Sequence, residues 1–425
     1  MGRSQSHHEI GKHSQSYTVT LLKKPRLLIV LNRLAIGGPA TNTLAVAAAL
    51  SNQYEILLVA GAPLPDEQSA DYLLDDYKGF SVVNESNFRR SVLPWHDVKA
   101  FFRLRKIIRS FKPDIVHTHG SKPGVLGRIA AKQLHVPVIV HTYHGHVFHS
   151  YFSKWVSAGI VLLERWLALK SSALVAINEK LLHDLASVYR IAPGLKIHLN
   201  RLGVDWEKMQ DRDGGLRRQF RTEFGLTESD LAIGIVGRLV PVKNHSLFVE
   251  AVTLLLQQMH NDRKLRFFII GDGAEKSAIC DLLSKHQITF CTSDTVDKLE
   301  ATVVFTSWRT DMNCVLNGLD IVMLTSLNEG TPVSIMEAMS AGRPVVATNV
   351  GGIAEMIQQQ VNGFVCNNKH ELAAYVKELI LQPDQRFRMG HAASNFANQA
   401  FSINRQANEL DRLYHSLLDL RRDQH

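Results

Sequence analysis

The chain has 425 residues, of which 45% are hydrophobic and 21% charged, the balance of a folded globular protein long enough for two cores. Its four cysteines, Cys280, Cys291, Cys314 and Cys366, are scattered without CxxC spacing, which argues against a disulfide scaffold and reads as reduced thiols of a cytosolic protein. The net charge of +8 is uneven: residues 1–200 carry 24 Lys and Arg against 13 Asp and Glu, the remainder 24 against 27, so the first half is expected to face something anionic.

Residues 1–22 begin with a Ser- and His-rich stretch lacking a signal peptide's apolar core and are expected to form a disordered polar tail. Short apolar strands then alternate with helical segments. Strands are expected at 26–31, 55–60, 114–117, 136–141 and 173–177, with an Ala- and Leu-rich helix at 41–50 and a basic helix at 99–112. The longest apolar candidate for a membrane span, 157–169, is interrupted by Glu164 and Arg165. Composition turns polar from about 201, and the alternation resumes with strands at 231–236, 267–270, 302–305, 321–324 and 345–348. Leu410, Leu413, Leu417 and Leu420 then share helical spacing. The expected organisation is a first doubly wound α/β domain over 23–205, a linker over 206–230 and a second such domain over 231–400. A terminal helix over 401–425 packs back toward the first domain, and ligands bind at strand carboxyl ends in the cleft between the lobes.

The most informative segment follows the strand 321–324. There Thr331 can cap a helix starting at Pro332 and ending at Gly342, with Glu329 just before it and Glu337 inside it. A free helix N-terminus at a strand end offers N–H groups to an anion, and two carboxylates beside it suit hydroxyls; together they fit a sugar nucleotide. Gly237-Arg238 and Lys243 end the first strand of the second domain, where two cations can neutralise a diphosphate leaving group. Gly37-Gly38 after the first strand permits close backbone approach, although the pattern departs from GxGxxG. Gly271-Asp272-Gly273 reads as a turn near the nucleotide. Among His117, His119, His141, His144, His146 and His149, no carboxylate or thiol completes a metal set. His144, past a strand's carboxyl end, reads best as a hydrogen-bonding partner of the substrate, and the others as structural.

Taken in order, the stretches GGPA at 37–40, VHTHGSKPGVLGRIAAK at 116–132, HTYHGH at 141–146, GRLVPVKN at 237–244, GDG at 271–273 and EGTPVSIMEAMSAGRPVVATNVGG from 329 resemble the retaining GT-B glycosyltransferases of family 4. The resemblance covers roughly residues 25–395. It implies that Glu337 holds the donor ribose, while Glu329 and the backbone over Gly330, Thr331, Pro332 and Val333 meet the donor sugar and its phosphate. It also implies that Arg238 and Lys243 neutralise the diphosphate, that Gly38 approaches it from the other lobe, and that His144 lies beside the transferred sugar. Two departures stand near the interdomain region: Asn200-Arg201-Leu202-Gly203 replaces a Pro-Asn-Gly turn, and Asn178 replaces a serine.

The expected activity is sugar transfer from a nucleotide-sugar donor to a saccharide or lipid-linked saccharide, as in envelope polysaccharide assembly. No metal and no bound cofactor are expected; the Asp-x-Asp at Asp211 and Asp213 stands in the polar crossing, a poor place for a metal clamp. The expected location is cytoplasmic, with the basic first domain facing the anionic inner face of the membrane; helix 99–112 reads first as an ordinary sheet-covering helix whose cations can also contact that surface. The alternatives are a GT-B phosphorylase or epimerase and a non-catalytic sugar-nucleotide-binding partner. Nucleic-acid binding is not expected, since no recognition helix or aromatic-basic platform is present.

Overall fold

The computed structural model describes residues 23–64, 67–88, 94–145, 154–259, 264–292 and 300–423. The expected tail over 1–22, together with His146 and His149, lies outside them.

The first lobe alternates β1 Arg26–Leu31, α1 Gly38–Leu50, β2 Glu55–Ala60, α2 Leu73–Asp76, β3 Ser81–Asn84, α3 Pro94–Phe111 and β4 Ile115–His119. It continues through α4 Ser121–Gln133, β5 Val138–Tyr143, α5 Lys154–Lys170, β6 Ala173–Ala176, α6 Glu179–His183 and β7 Ile197–Leu199. The second lobe opens with α7 Gly215–Glu223, β8 Leu231–Val236, α8 His245–Gln258, β9 Leu265–Ile270, α9 Lys276–Lys285, β10 Phe290–Cys291 and β11 Val303–Ser307. It closes with α10 Met312–Gly318, β12 Ile321–Leu324, α11 Val333–Ser340, β13 Val345–Thr348, β14 Gly363–Cys366, α12 Lys369–Leu381 and α13 Pro383–Ala400. The last helix is α14 Ile403–Arg422.

Each lobe is built on a parallel sheet with seven described strands, in the orders β3-β2-β1-β4-β5-β6-β7 and β10-β11-β9-β8-β12-β13-β14. Central strands are buried on both faces, which is why they read as unbroken apolar runs. In both sheets the order reverses beside the lobe's first strand, between β1 and β4 and between β8 and β12, opening a crevice at the strand carboxyl ends.

The segment expected as a linker is a correction. Residues 206–230 contain α7, whose Phe220 and adjoining Phe224 pack with Phe268 at ring separations of 5.1 Å, so it belongs to the second lobe's core. Asp211 and Asp213 are spent there: Asp211 accepts from the amides of Leu216 and Arg217, and Asp213 from that of Gly215. Both start α7.

The chain crosses between lobes twice, and the crossings touch. Val204 pairs with Ser402, and a Cβ on Gly203 would stand 2.7 Å from Ile403 Cα, so the first crossing needs a glycine. After the second crossing α14 lies on the first lobe. Ala407, Leu410, Tyr414 and Leu418 join Leu44, Ala47 and Leu50 of α1 in one core. Gln406 and Asn42 exchange side-chain hydrogen bonds of 2.7 and 3.1 Å beneath them.

Candidate active site

The strands flanking both switch points end in one cleft of about 740 Å³ between the lobes. On the second lobe, β8 leads into Gly237 and Arg238, and a short turn brings Lys243 back toward β12. Lys243 Nζ donates to Glu329 Oε1 at 2.5 Å, and Ser326 Oγ donates to the same oxygen at 2.5 Å. The two loops are stitched together by Thr325 Oγ1 to the Lys243 carbonyl, 3.0 Å, and Leu327 N to the Val242 carbonyl, 2.8 Å. Behind them Gly351 and Gly352 press on the acidic loop. A Cβ on Gly351 would fall 1.7 Å from the Glu329 carbonyl oxygen, so only glycine permits this contact.

Helix α11 starts at Val333, one residue later than the sequence suggests, and Thr331 does not cap it. The Thr331 hydroxyl oxygen instead accepts from Asn178 Nδ2 at 3.1 Å, across the lobes. The first turn of α11 therefore has no side-chain cap, and Pro332, Val333 and Ser334 at its start line the cleft. Glu337 sits one turn along, and burial pushes its carboxyl up to about 7. Tyr72 and Tyr77 face it from the first lobe, and burial followed by nearby carboxylates raises both phenols.

On the first lobe, Gly38 faces Val333 so closely that a Cβ would stand 2.7 Å from Val333 Cγ2. His144 follows β5, and its carbonyl oxygen would lie 2.6 Å from a Cβ on Gly330. Its ring begins a buried imidazole row. His144 Nε2 and His119 Nδ1 are 3.0 Å apart, the His119 and His117 rings lie tilted at 33° with centroids 4.2 Å apart, and His117 Nδ1 meets the Tyr414 hydroxyl at 2.5 Å. Burial holds His144 near 4 and His117 near 3, so the row is neutral at physiological pH.

Sequence comparison now decides the family. Residues 36–208 match the profile described as Glycosyltransferase Family 4, and residues 230–382 that described as Glycosyl transferases group 1. The chain is a GT-B glycosyltransferase of family 4. The UDP-Gal:alpha-D-GlcNAc-diphosphoundecaprenol alpha-1,3-galactosyltransferase of Escherichia coli is 29% identical over 86% of this chain and 89% of its own length. The capsular polysaccharide biosynthesis glycosyltransferase CapM of Staphylococcus aureus is 22% identical over 78% and 84%. Anabaena Alr3699/HepE, solved with UDP and glucose, superposes with a TM-score of 0.75 at 18% identity, covering 92% of this chain and all of that one, and shares the fold.

In this glycosyltransferase the residues marked by sequence gather in the one cleft: Gly38, His144, Arg238, Lys243, Glu329, Gly330, Thr331, Pro332, Val333 and Glu337 all line it. Lys122, within the 116–132 stretch, pairs with Asp97 at 2.5 Å and does not line the cleft. Among the described residues no group of three or more His, Cys, Asp or Glu is placed to hold a metal ion. Three cleft contacts escape sequence reasoning. Glu67 bridges Arg33 and Arg238; Asn178 reaches Gly330 O and Thr331 Oγ1; His119 abuts His144. None forms a motif, and only the replacement of serine by Asn178 gave a hint. Its Oδ1 caps α6 through Leu181 N at 2.8 Å while its amide nitrogen, which serine lacks, spans the lobes.

Proposed function

We propose that the enzyme transfers a hexose, with retention at the anomeric carbon and without a metal, from a nucleoside diphosphate sugar to a lipid-linked saccharide. The observation that carries the reading is the meeting of Arg238, Lys243 and the uncapped start of α11 around one cleft, opposite the Gly37-Gly38 loop. That arrangement concentrates positive potential where a diphosphate would gather charge. The bond from the anomeric carbon to the diphosphate oxygen breaks, and its electron pair leaves with the phosphate. An acceptor hydroxyl oxygen attacks from the same face, and its proton passes to the departing phosphate oxygen. Glu337 receives the ribose hydroxyls, and neutral His144 hydrogen-bonds the transferred sugar. The lobes exclude water, which favours transfer over hydrolysis.

The relative from Escherichia coli carries a uridine donor and an undecaprenyl-linked acceptor in its name, which favours the same classes here. A surface feature supports the lipid-linked acceptor. Helix α3 exposes Trp95 and Phe102 among Lys99, Arg103, Lys106 and Arg109, and α5 on the same flank exposes Trp155, Leu162, Trp166 and Leu169. Aromatic and aliphatic side chains beside cations fit an anionic bilayer surface. No helix among the described residues is long and apolar enough to cross a membrane.

Transfer assays with a panel of nucleotide sugars test the chemistry. Glu337→Ala should weaken the donor KM, and Arg238→Ala should lower kcat by about 100-fold; normal turnover and donor affinity in both would refute the assignment. Sedimentation with vesicles tests docking. Equal recovery on anionic and zwitterionic lipid at physiological salt counts against it.

A further inference from the structure

Glu67 is a carboxylate in the cleft that the transfer chemistry above leaves unused. Its segment is strapped to the residues preceding the glycine loop: Ile36 N donates to Gln68 O at 2.9 Å, Ala70 N to Leu34 O at 3.1 Å, and Ala35 pairs with Ser69. Leu64 N donates to Oε2 at 3.2 Å. The carboxylate is thus held in place from the first lobe, with its side chain only 5% exposed. Oε1 accepts from Arg33 Nη2 at 2.8 Å and, from the opposite lobe, from Arg238 Nη1 at 3.2 Å. Arg33 Nε stands 2.8 Å from Oε2 as an ion pair without hydrogen-bond geometry, so Arg33 bonds one oxygen and lies beside the other, while Arg238 holds one at longer range. Arg238 is also the more exposed cation, at 42% against 16%.

A carboxylate forked between two guanidinium groups offers Arg238 what a phosphate offers: negative oxygens at hydrogen-bonding distance. A carboxylate that stayed on Arg238 beside a bound diphosphate would repel it. We propose that Glu67 is a built-in stand-in for a donor phosphate. It occupies Arg238 in the donor-free enzyme, and the arriving diphosphate takes Arg238 over while Arg33 keeps the carboxylate. Arg33 is equipped to keep it, since its Nε, already 2.8 Å from Oε2, and its Nη1 both lack a hydrogen-bond partner among the described residues and are free to take up the carboxylate. Donor binding then carries a switch of partners across the lobes, and free nucleotide is held less tightly than the cations alone would allow. This rests on the reading that Arg238 binds the donor diphosphate.

The test is titration calorimetry of the full chain with UDP and with inorganic pyrophosphate. Glu67→Gln keeps the side chain's shape and its bond to Arg33 but removes the charge. Binding of both probes should tighten by roughly two- to fivefold, the worth of a partly exposed ion pair. The gain should vanish when Arg238→Gln is added, because the competition is for that side chain. Glu67→Asp, too short to span both cations, should shift affinity in the same direction and serves if the glutamine variant is poorly folded. Unchanged or weaker binding in these variants, or a gain that survives loss of Arg238, overturns the stand-in while leaving the transfer reading intact. A wild-type enzyme that binds neither probe and transfers nothing removes both.

Discussion

Glu337 shows how one residue's surroundings set its chemistry. An ordinary carboxyl titrates near 4.5, and burial raises this one to about 7, so near neutral pH it is only partly ionised. Two ribose hydroxyls donate best to a carboxylate, so donor binding should favour the charged form and release a proton. Since the ionised fraction rises as pH climbs through 7, donor affinity should tighten by about tenfold between pH 6 and pH 8. Glu337→Gln should bind donor more weakly and lose that dependence; calorimetry at three pH values checks it, and a flat wild-type profile would count against Glu337 as the ribose partner. Glu329, Arg238 and Lys243 were legible because each lies within a few residues of an apolar strand's end, and strand ends are where such sheets open. Glu67 and Asn178 were not: their contacts join residues 171 and 152 positions apart, and neither carries a local pattern.

Elements were legible where burial writes itself into composition. The central strands and α1 were expected close to where they stand, but β3, β7, β10 and β14 were missed because they are short strands in the outer positions of their sheets. For α14 the periodicity was right and the face slightly turned. Leu410 is buried, while Leu420 is 59% exposed and Tyr414 takes a core place on the stripe, because its hydroxyl has His117 to meet. Since α14 closes the first lobe's core, Leu410→Ala should cost about 2–4 kcal/mol and lower the melting temperature. A shift below one degree by scanning calorimetry would mean the helix is not part of that core. The meeting of α1 and α11 makes a sharper prediction. Gly38→Ala places a methyl 2.7 Å from Val333 Cγ2, so the Val333 side chain must turn or the lobes part, and the stiff β-branched side chain favours the second. Activity should fall by about 10- to 100-fold, as displacements near 1 Å can cost, with little change in melting temperature. Val333→Ala in the same chain should restore much of the loss, which a merely destabilising substitution would not permit.

At the scale of the whole molecule, the alternation of strands and helices and the polar stretch near residue 201 were enough to foresee two facing α/β lobes. The crossings and the return of α14 show why they act together: the last helix belongs to the first lobe, so that lobe is built from both ends of the chain with the whole second lobe inserted between them. The same build concentrates buried histidines in the first lobe. His117, His119, His141 and His144 all titrate well below 6.5, chiefly through burial, and His245 in the second lobe stands near 4 for the same reason. An unfolded chain protonates each of them near 6.5, whereas burial keeps them neutral well below that pH in the folded protein, His117 until about 3 and His144 and His245 until about 4. The unfolded state therefore binds more protons as pH falls below 6.5, and stability drops by up to about 1.4 kcal/mol per histidine per pH unit. Glu337 works the other way, gaining stability as pH falls from 7 toward 4.5, but it is one group against these five and His198 on β7, which burial also lowers. The melting temperature should therefore fall steadily from pH 7 to pH 5. Because four of the six lie on β4, β5 or just beyond β5, hydrogen exchange at pH 5.5 should show protection failing in those strands before β8 and β12. A melting temperature that holds level across this range would mean that the imidazole row takes up protons without unfolding, and its burial would then have to be relieved by a local opening of the cleft around His144.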